Sequence, residues 1–284
     1  MTKKLFDALS SIEYTVVSSD EKTPIESDKS LNPEISSLVF DSRDVKPGSL
    51  FFALPGTHTT GNVFIPKAIE NGASAVVFQD DFDENTAQAI SASLVNSNTK
   101  PVIARVENAR KVMAPVAAQF YDNPSSKLAV IGVTGTEGKS STVSFVWQLL
   151  KLSGHKAGFI STVQYSLGDE AIANPQHQTT PEATIIQRQL YEMVQNGCEY
   201  AVVETSSHGL SPKLNRTGNL LFDAGIFMNV TLEHLEFHGT FEQYRDDKAN
   251  LFRKLDEHNH EKLILGKKVK VPSFGIVNLE DPSA

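Results

Sequence analysis

Apolar positions in this chain occur in two kinds of block. The first kind is short and continuous: Leu50-Phe-Phe-Ala-Leu54, Ala75-Val-Val-Phe78, Leu128-Ala-Val-Ile-Gly-Val-Thr134, Tyr200-Ala-Val-Val203 and Ala224-Gly-Ile-Phe-Met228. Such runs suit strands buried on both faces of a parallel sheet. Ser36–Phe40, Pro101–Val106, Ala157–Val163, a segment near Leu263 and Ser273–Val277 read as further strands. The second kind has helical spacing. After Ser140, the residues Val143, Val146, Trp147 and Leu150 fall at i, i+3, i+4 and i+7. Pro181 opens a helix with Ile186, Leu190, Met193 and Val194 on its buried face, and Gly197 closes it. Leu5–Leu9, Phe64–Asn71, Glu84–Leu94, 107–121 and Phe241–Leu255 also read as helices, and Gly154 as a helix stop.

Alternation of the two kinds predicts an α/β protein. The division reads as a small α/β domain over 1–106 and a doubly wound domain over 107–284, the polar joint Asp122–Ser126 lying early in the second. Ligands of such sheets gather at the carboxyl ends of the strands. Polar residues stand at three of those ends: Thr134–Ser140, Glu204-Thr-Ser-Ser-His208 and Asn229-Val-Thr-Leu-Glu-His234.

The first of these is the most informative. A buried-type strand runs into Gly135-Thr-Glu-Gly-Lys-Ser140 and then into a helix, which presents backbone N–H groups and a helix N-terminus to a phosphate. Lys139 would reach the outer phosphates and Ser140 would hold Mg²⁺. The generic phosphate loop has a glycine where Val133 stands, and Gly132 comes one residue too early, so the general pattern is a near miss.

Composition narrows the partners. The chain has 284 residues, 40% hydrophobic and 21% charged, with net charge −8. That balance argues against a general nucleic-acid binder, and no stretch approaches a membrane span. With one cysteine, Cys198, no internal disulfide forms, and the residue reads as packing. No signal peptide is visible at the N-terminus, so a cytoplasmic monomer is expected.

The remaining candidates are individually ambiguous. Glu204 ends an apolar strand, where a carboxylate needs a partner or a cation; metal ligation and a capped or salt-bridged glutamate both fit. Ser206-Ser207-His208 contains triad residue types but no Gly-x-Ser-x-Gly elbow. His234 and His238, four apart, would share a helix face, without the order of a zinc protease. Lys248 has no local feature separating it from a solvated lysine. Thr179-Thr180-Pro181 either caps a helix or binds an anion, and capping alone explains Asp41-Ser42-Arg43.

Together, from about Ser36 to Asp281, these motifs resemble the Mur ligases, in particular the MurE type that adds the third amino acid of the peptidoglycan stem peptide. Gly135–Ser140 is similar to the family's Gly-Thr-Asn-Gly-Lys-Thr/Ser loop. Glu204–Leu210 is similar to its Glu-x-Ser-Ser-His-Gly-Leu segment. Asn229 to Phe252 resembles Asn-x-x-x-Asp-His-x-Asp-x-His-Gly…Tyr-x-x-x-Lys…Leu-Phe. The resemblance implies that Thr136, Glu137, Gly138, Lys139, Ser140, Ser141 and Thr142 wrap the ATP phosphates. Ser140, Glu204, His234 and Lys248 would serve Mg²⁺ sites, Lys248 as a carbamate, with Lys139, Lys248 and His234 catalytic. Ser42, Thr57 and His58 would meet the uridine diphosphate of UDP-MurNAc-L-Ala-D-Glu; Thr179, Thr180, Ser206 and Arg216 would meet its muramoyl-peptide. The implied reaction is ATP-dependent amide formation with an amino acid through an acyl phosphate.

Glu137 replaces the loop's usual asparagine, and Glu233 and Glu236 replace aspartates. Asn278-Leu-Glu-Asp281 is similar to a strand end inside the family's central domain. The resemblance therefore implies that the amino-acid-selecting C-terminal domain is missing, and a chain that binds the UDP-sugar peptide but ligates poorly or not at all is expected. The alternatives are a non-catalytic nucleotide-sugar binding protein and another superfamily member, such as folylpolyglutamate synthetase.

Overall fold

The computed structural model describes residues 1–17, 30–56, 60–97, 100–176 and 178–283. The chain divides into two units, Met1–Phe120 and Tyr121–Ala284. Periodicity placed the helix at Ala109–Phe120 in the second unit. It belongs to the first, where it packs on the short helix Leu5–Ala8 and on the strand Ser49–Ala53. Its apolar face, including Met113, Val116 and Phe120, is buried, and Asp122 and Asn123 then take left-handed backbone angles of 58° and 50°.

In the first unit the segments Lys3–Lys4 and Glu34–Ile35 pair separately. The main sheet has strands β1 (Thr15–Val16), β2 (Ser37–Val39), β3 (Ser49–Ala53), β4 (Ala75–Phe78) and β5 (Val102–Arg105), ordered β1-β5-β4-β3-β2. All neighbours are parallel except β1 with β5. The helices Ile65–Glu70 and Glu84–Asn96 cover one face, where Ile65, Ile69 and Ile90 pack on Phe51, Val76, Phe78 and Ile103.

The second unit is built on β6 (Ala129–Thr134), β7 (Ala157–Ile160), β8 (Gln164–Ser166), β9 (Ile172–Ala173), β10 (Tyr200–Glu204), β11 (Ala224–Phe227), the hairpin β12 (Glu261–Ile264) and β13 (Lys267–Lys270), and β14 (Phe274–Val277). Its main sheet runs β9-β8-β7-β10-β6-β11-β14. The five strands from β7 to β14 are parallel, and β8 and β9 add an antiparallel edge that the apolar pattern did not predict. Both are short, three and two residues, so hydrophobic periodicity had little to register.

Three helices matter below: α1 (Lys139–Leu152), α2 (Ala183–Gln195) and α3 (Phe241–Arg253). Helix α1 buries Val143 and Trp147 and half-buries Val146 and Leu150, the face the spacing predicts. Helix α2 begins two residues after Pro181, because Glu182 is its N-cap in extended conformation. Gly154 and Gly197 follow the two helices with positive φ of 87° and 75°, as stops. Among the described residues no helix is long and apolar enough to cross a membrane.

The amino ends of the central strands are locked by a buried polar cluster. Asp223 Oδ2 accepts from the Val130 amide at 2.9 Å and pairs with Lys262 Nζ at 2.9 Å. Lys262 Nζ also donates to the carbonyls of Ser125 and Leu221, both at 2.7 Å. Burial lowers its pKa, while the facing Asp223 raises it. Asp223, His258 and His260 carry metal-ligand atoms within 4.8 Å of one another. Yet His258 Nδ1 accepts from the His260 amide, which puts its ring proton on Nε2, donating to the Phe222 carbonyl at 2.8 Å. Lys262 supplies the positive charge, and the network closes without an ion. Asp223→Ala leaves that ammonium buried and unpaired. We expect a loss of about 3–5 kcal/mol in urea unfolding at pH 7. Adding Lys262→Met should restore much of it.

Candidate functional site

The connections of the second sheet leave β6 and β10 in opposite directions. From β6 the chain passes through α1 to β7, and from β10 it crosses past β6 to β11. The crevice at the carboxyl ends of β6 and β10 is therefore a topological switch point. All three polar strand ends singled out from the sequence converge on this end of the sheet, since Glu204 pairs with Val133 and Phe227 with Thr134.

The loop after β6 is held by its own neighbours. Gly135 has φ +153°, and a Cβ there would stand 2.8 Å from the Met228 Cβ, so the close approach requires glycine. Asn229 Oδ1 accepts from the amides of Thr136 and Glu137, at 3.2 and 2.8 Å. The Thr136 hydroxyl bonds the Tyr244 hydroxyl at 3.0 Å and accepts from the Thr231 amide at 2.9 Å. Gly138 has φ 78° and no side chain caps α1, so the helix presents its free N–H groups next to Lys139. Lys139 Nζ folds back on the Thr136 carbonyl at 2.6 Å. Glu137 and Ser141 are exposed, and the Thr142 hydroxyl contacts Met228 Sδ at 3.4 Å.

Glu204 is 1% exposed, and among the described residues no cationic side chain pairs with it. Its Oε2 accepts from the Ser140 hydroxyl at 2.9 Å and from the Thr162 amide at 2.8 Å. Its Oε1 accepts from the Thr162 hydroxyl at 3.1 Å, and that hydroxyl also meets Thr179 at 3.0 Å. Thr162 was not singled out from the sequence, because nothing local distinguishes it from any hydroxyl at a strand end. A carboxylate buried beside a hydroxyl, without a counter-cation, has the chemistry of a hard-metal site. The donor set fits Mg²⁺.

On the next turn, the Thr180 hydroxyl bonds the Ser206 amide at 2.8 Å, the Ser206 hydroxyl at 3.0 Å and the Glu204 carbonyl at 3.2 Å. Arg216, expected to face a ligand, is engaged internally. It pairs with Glu182 at 2.9 Å and donates to the Thr180 carbonyl at 3.1 Å. Glu182, three residues after Thr179 in the Thr179–Pro181 segment, was not recognised as its partner.

The two histidines expected on one helix face are not. His234 caps the short helix Leu235–His238 with φ 56° and is exposed, whereas His238 is 4% exposed. The left-handed cap breaks the helical spacing. Both rings instead flank His208, at 4.9 and 5.2 Å. Burial, then the neighbouring His234 and His238, push the His208 imidazole down to about 4, so it is neutral near pH 7.

Lys248 is 2% exposed, with Nζ on the Gly135 carbonyl at 2.5 Å and 4.6 Å above the Tyr244 ring. His234 lies 6.1 Å from the same ring. Thus Ser140 meets Glu204, and Lys248 and His234 meet Tyr244, but among the described residues no hydrogen bond joins the two groups. In the first unit, Ser42 is buried in a short turn after Asp41, which accepts from the Arg43 amide at 2.9 Å. Thr57 and His58 lie outside the described residues. Cys198 is buried, its thiol pushed up to about 11 by burial, as a packing residue should be. A cavity of about 630 Å³ beside α3 and β14, lined among others by Phe227, Phe252 and Val277, includes none of the site residues.

Burial, with Lys139 nearby, pulls the Lys248 amine down to about 7. The unfolded chain holds this proton up to about pH 10.4. Between those values the unfolded state binds more protons, so stability rises with pH, and below about 7 the group adds no further change. Urea unfolding from pH 6.5 to 10 in CO₂-free buffer should show that rise, on the order of a few kcal/mol. Lys248→Met should remove the Lys248 part of it, leaving the smaller rise from buried Lys262.

Comparison with known proteins assigns the family. Residues 133–283 match the Mur ligase middle domain, and residues 34–121 match the Mur ligase family catalytic domain. The whole chain is 50% identical to a UDP-N-acetylmuramyl-tripeptide synthetase of Treponema denticola, covering 50% of that protein. Over 88% of its length it is 37% identical to a UDP-N-acetylmuramoyl-L-alanyl-D-glutamate–2,6-diaminopimelate ligase of Geobacillus thermodenitrificans, covering 46% of it. A solved structure titled as that kind of ligase superposes with a TM-score of 0.64 at 23% identity, over 94% of this chain and 48% of the other. A MurF ligase from Thermotoga maritima gives 0.55 at 22%, over 87% and 46%. The chain belongs to the Mur ligase family, and it spans about half the length of the curated relatives it matches.

Proposed function

We propose that this chain supplies the acceptor-binding and nucleotide-binding parts of an ATP-dependent ligase that adds an amino acid to UDP-MurNAc-L-Ala-D-Glu. The observation that carries the reading is the buried Glu204 carboxylate, bonded to Ser140 at the head of α1 and to Thr162, in the crevice beside the phosphate loop. The names of the relatives support the substrate class.

In this reading the open N-terminus of α1 and the Lys139 ammonium bind the phosphates of ATP. Ser140 and Glu204, with His234 and a carbamate on Lys248, would hold Mg²⁺, which when bound offsets phosphate charge. The buried Lys248 amine is partly neutral near pH 7 and so has the lone pair needed to take up CO₂. Thr179, Thr180 and Ser206, with Arg216 held beside them by Glu182, would contact the muramoyl-peptide, and the resemblance assigns Ser42, Thr57 and His58 to the uridine diphosphate. The D-glutamyl carboxylate attacks the γ-phosphorus and ADP leaves. The amine of the incoming amino acid then displaces phosphate from the acyl phosphate. The chain's own contribution is to hold the reactants in line and to surround developing negative charge with fixed donors.

Calorimetric titration tests this directly. UDP-MurNAc-L-Ala-D-Glu should bind selectively over UDP-glucose. A non-hydrolysable ATP analogue with Mg²⁺ should bind wild type and lose roughly 10–100-fold in affinity in Lys139→Ala, the worth of one charged hydrogen bond. A folded chain that binds neither ligand would remove the proposal.

A further inference from the structure

The proposed reaction uses Ser206 and Lys248 but not the residues beside them, Ser207 and Asp247. Ser207 Oγ lies 3.0 Å from His238 Nε2, and His238 Nδ1 lies 2.7 Å from Asp247 Oδ2. Asp247 Oδ1 takes a further bond from Gln243 at 3.2 Å. The three residues are 1%, 4% and 1% exposed. An ionised carboxylate only accepts, so the His238 proton sits on Nδ1 and bare Nε2 accepts from the Ser207 hydroxyl. Serine, histidine and aspartate stand in the order of a hydrolase triad, but a hydroxyl this enclosed meets no substrate.

The three residues come from three separate segments of the second unit. Ser207 opens the turn Ser207–Leu210 after β10, the stretch that also holds Ser206 and His208. His238 ends the short helix after β11, and Asp247 lies on α3. At the far end of the turn, Asn250 of α3 donates to the Leu210 carbonyl at 3.3 Å. The same helix reaches the phosphate loop separately, through Tyr244 to Thr136 and Lys248 to the Gly135 carbonyl.

We propose that Ser207–His238–Asp247 is a positioning relay that fixes the acceptor-side turn to the helix holding the phosphate loop, keeping the two binding loops in constant register. The inference rests on the reading that Ser206 and Thr180 face the muramoyl-peptide. An imidazole suits the task because it offers one donor and one acceptor on opposite sides of a rigid ring, with no torsion between them. Breaking the relay unties Ser207 from α3, leaving the start of the turn held only from the Thr180 side, while Tyr244 and Lys248 still hold the phosphate loop.

The experiment is calorimetry on wild type, Ser207→Ala and Asp247→Asn, with melting temperature measured alongside. The ligands are UDP-MurNAc-L-Ala-D-Glu and, separately, a non-hydrolysable ATP analogue with Mg²⁺. Ser207→Ala removes one oxygen; Asp247→Asn keeps volume and moves the His238 proton to Nε2. Acceptor affinity should fall at least fivefold in Ser207→Ala and less in Asp247→Asn, with nucleotide affinity within twofold in both. The amide in Asp247→Asn can still donate to Nδ1 while Nε2–H donates to Ser207. Unchanged acceptor affinity, or equal loss of both ligands, overturns the relay. In wild type, nitrogen-15 NMR should show a slowly exchanging His238 proton on Nδ1, and a proton on Nε2 would overturn it without any variant. If wild type binds nucleotide but not the UDP-sugar peptide, the functional reading fails and takes the relay with it. Wild-type binding with indifferent variants removes the relay alone.

Discussion

A carboxylate buried with no cationic side chain paired to it among the described residues is the constraint around which the second unit is arranged. Glu204 ends a strand whose other residues are apolar, and removing a charge from water costs several kcal/mol unless something repays it. Here the repayment is three hydrogen bonds from Ser140 and Thr162, each on a different side of the switch point. Ser140 heads the helix after β6, and Thr162 follows β7. Two chain crossings are thereby pinned to the end of β10, at the place where a doubly wound sheet leaves its crevice.

The opposite end of the same sheet shows the contrast. Asp223 is as deeply buried as Glu204, and it too accepts from a backbone amide, that of Val130 in β6. There the compensating charge is internal: Lys262 lies against it and spends its other donors on two carbonyls. The two anions differ in what is left over. At Asp223 every charge and ring nitrogen facing the carboxylate is committed, which is the signature of a structural lock. At Glu204 the donors are all neutral: the Ser140 hydroxyl and the Thr162 amide and hydroxyl. This asymmetry, rather than the presence of acidic residues as such, distinguishes the two ends of the sheet.

Much of the architecture was legible because strong periodicity survives in the sequence. The continuous apolar runs became β3, β4, β6, β10 and β11, and the helix stops at Gly154 and Gly197 fell where positive φ is needed. What escaped was set by tertiary context. The strands β8 and β9 are only three and two residues long. The helix Ala109–Phe120 has a clear pattern, but a pattern does not say which core it serves. His234 and His238 were separated by one left-handed residue that no spacing rule anticipates. At the site, the loop lysine and the strand-end glutamate stood out by type and position. Thr162 and Glu182 did not, because their importance lies in the partner they hold.

Helix α3 carries that lesson furthest. Its buried residues are Tyr244, Asp247, Lys248 and Leu251, spaced i, i+3, i+4 and i+7. This is the interval of a core-facing stripe, yet two of the four are charged, so hydropathy alone assigns Asp247 and Lys248 to solvent. Each has a reason to be inside. Lys248 reaches the phosphate loop, Asp247 reaches through His238 to the turn after β10, and Tyr244 holds Thr136. One helical face thus meets both loops of the crevice, because residues three and four apart lie side by side. A helix whose inward stripe is partly ionic is poorly explained by packing alone. Its composition makes sense once the stripe is seen to bind two loops as well as a core.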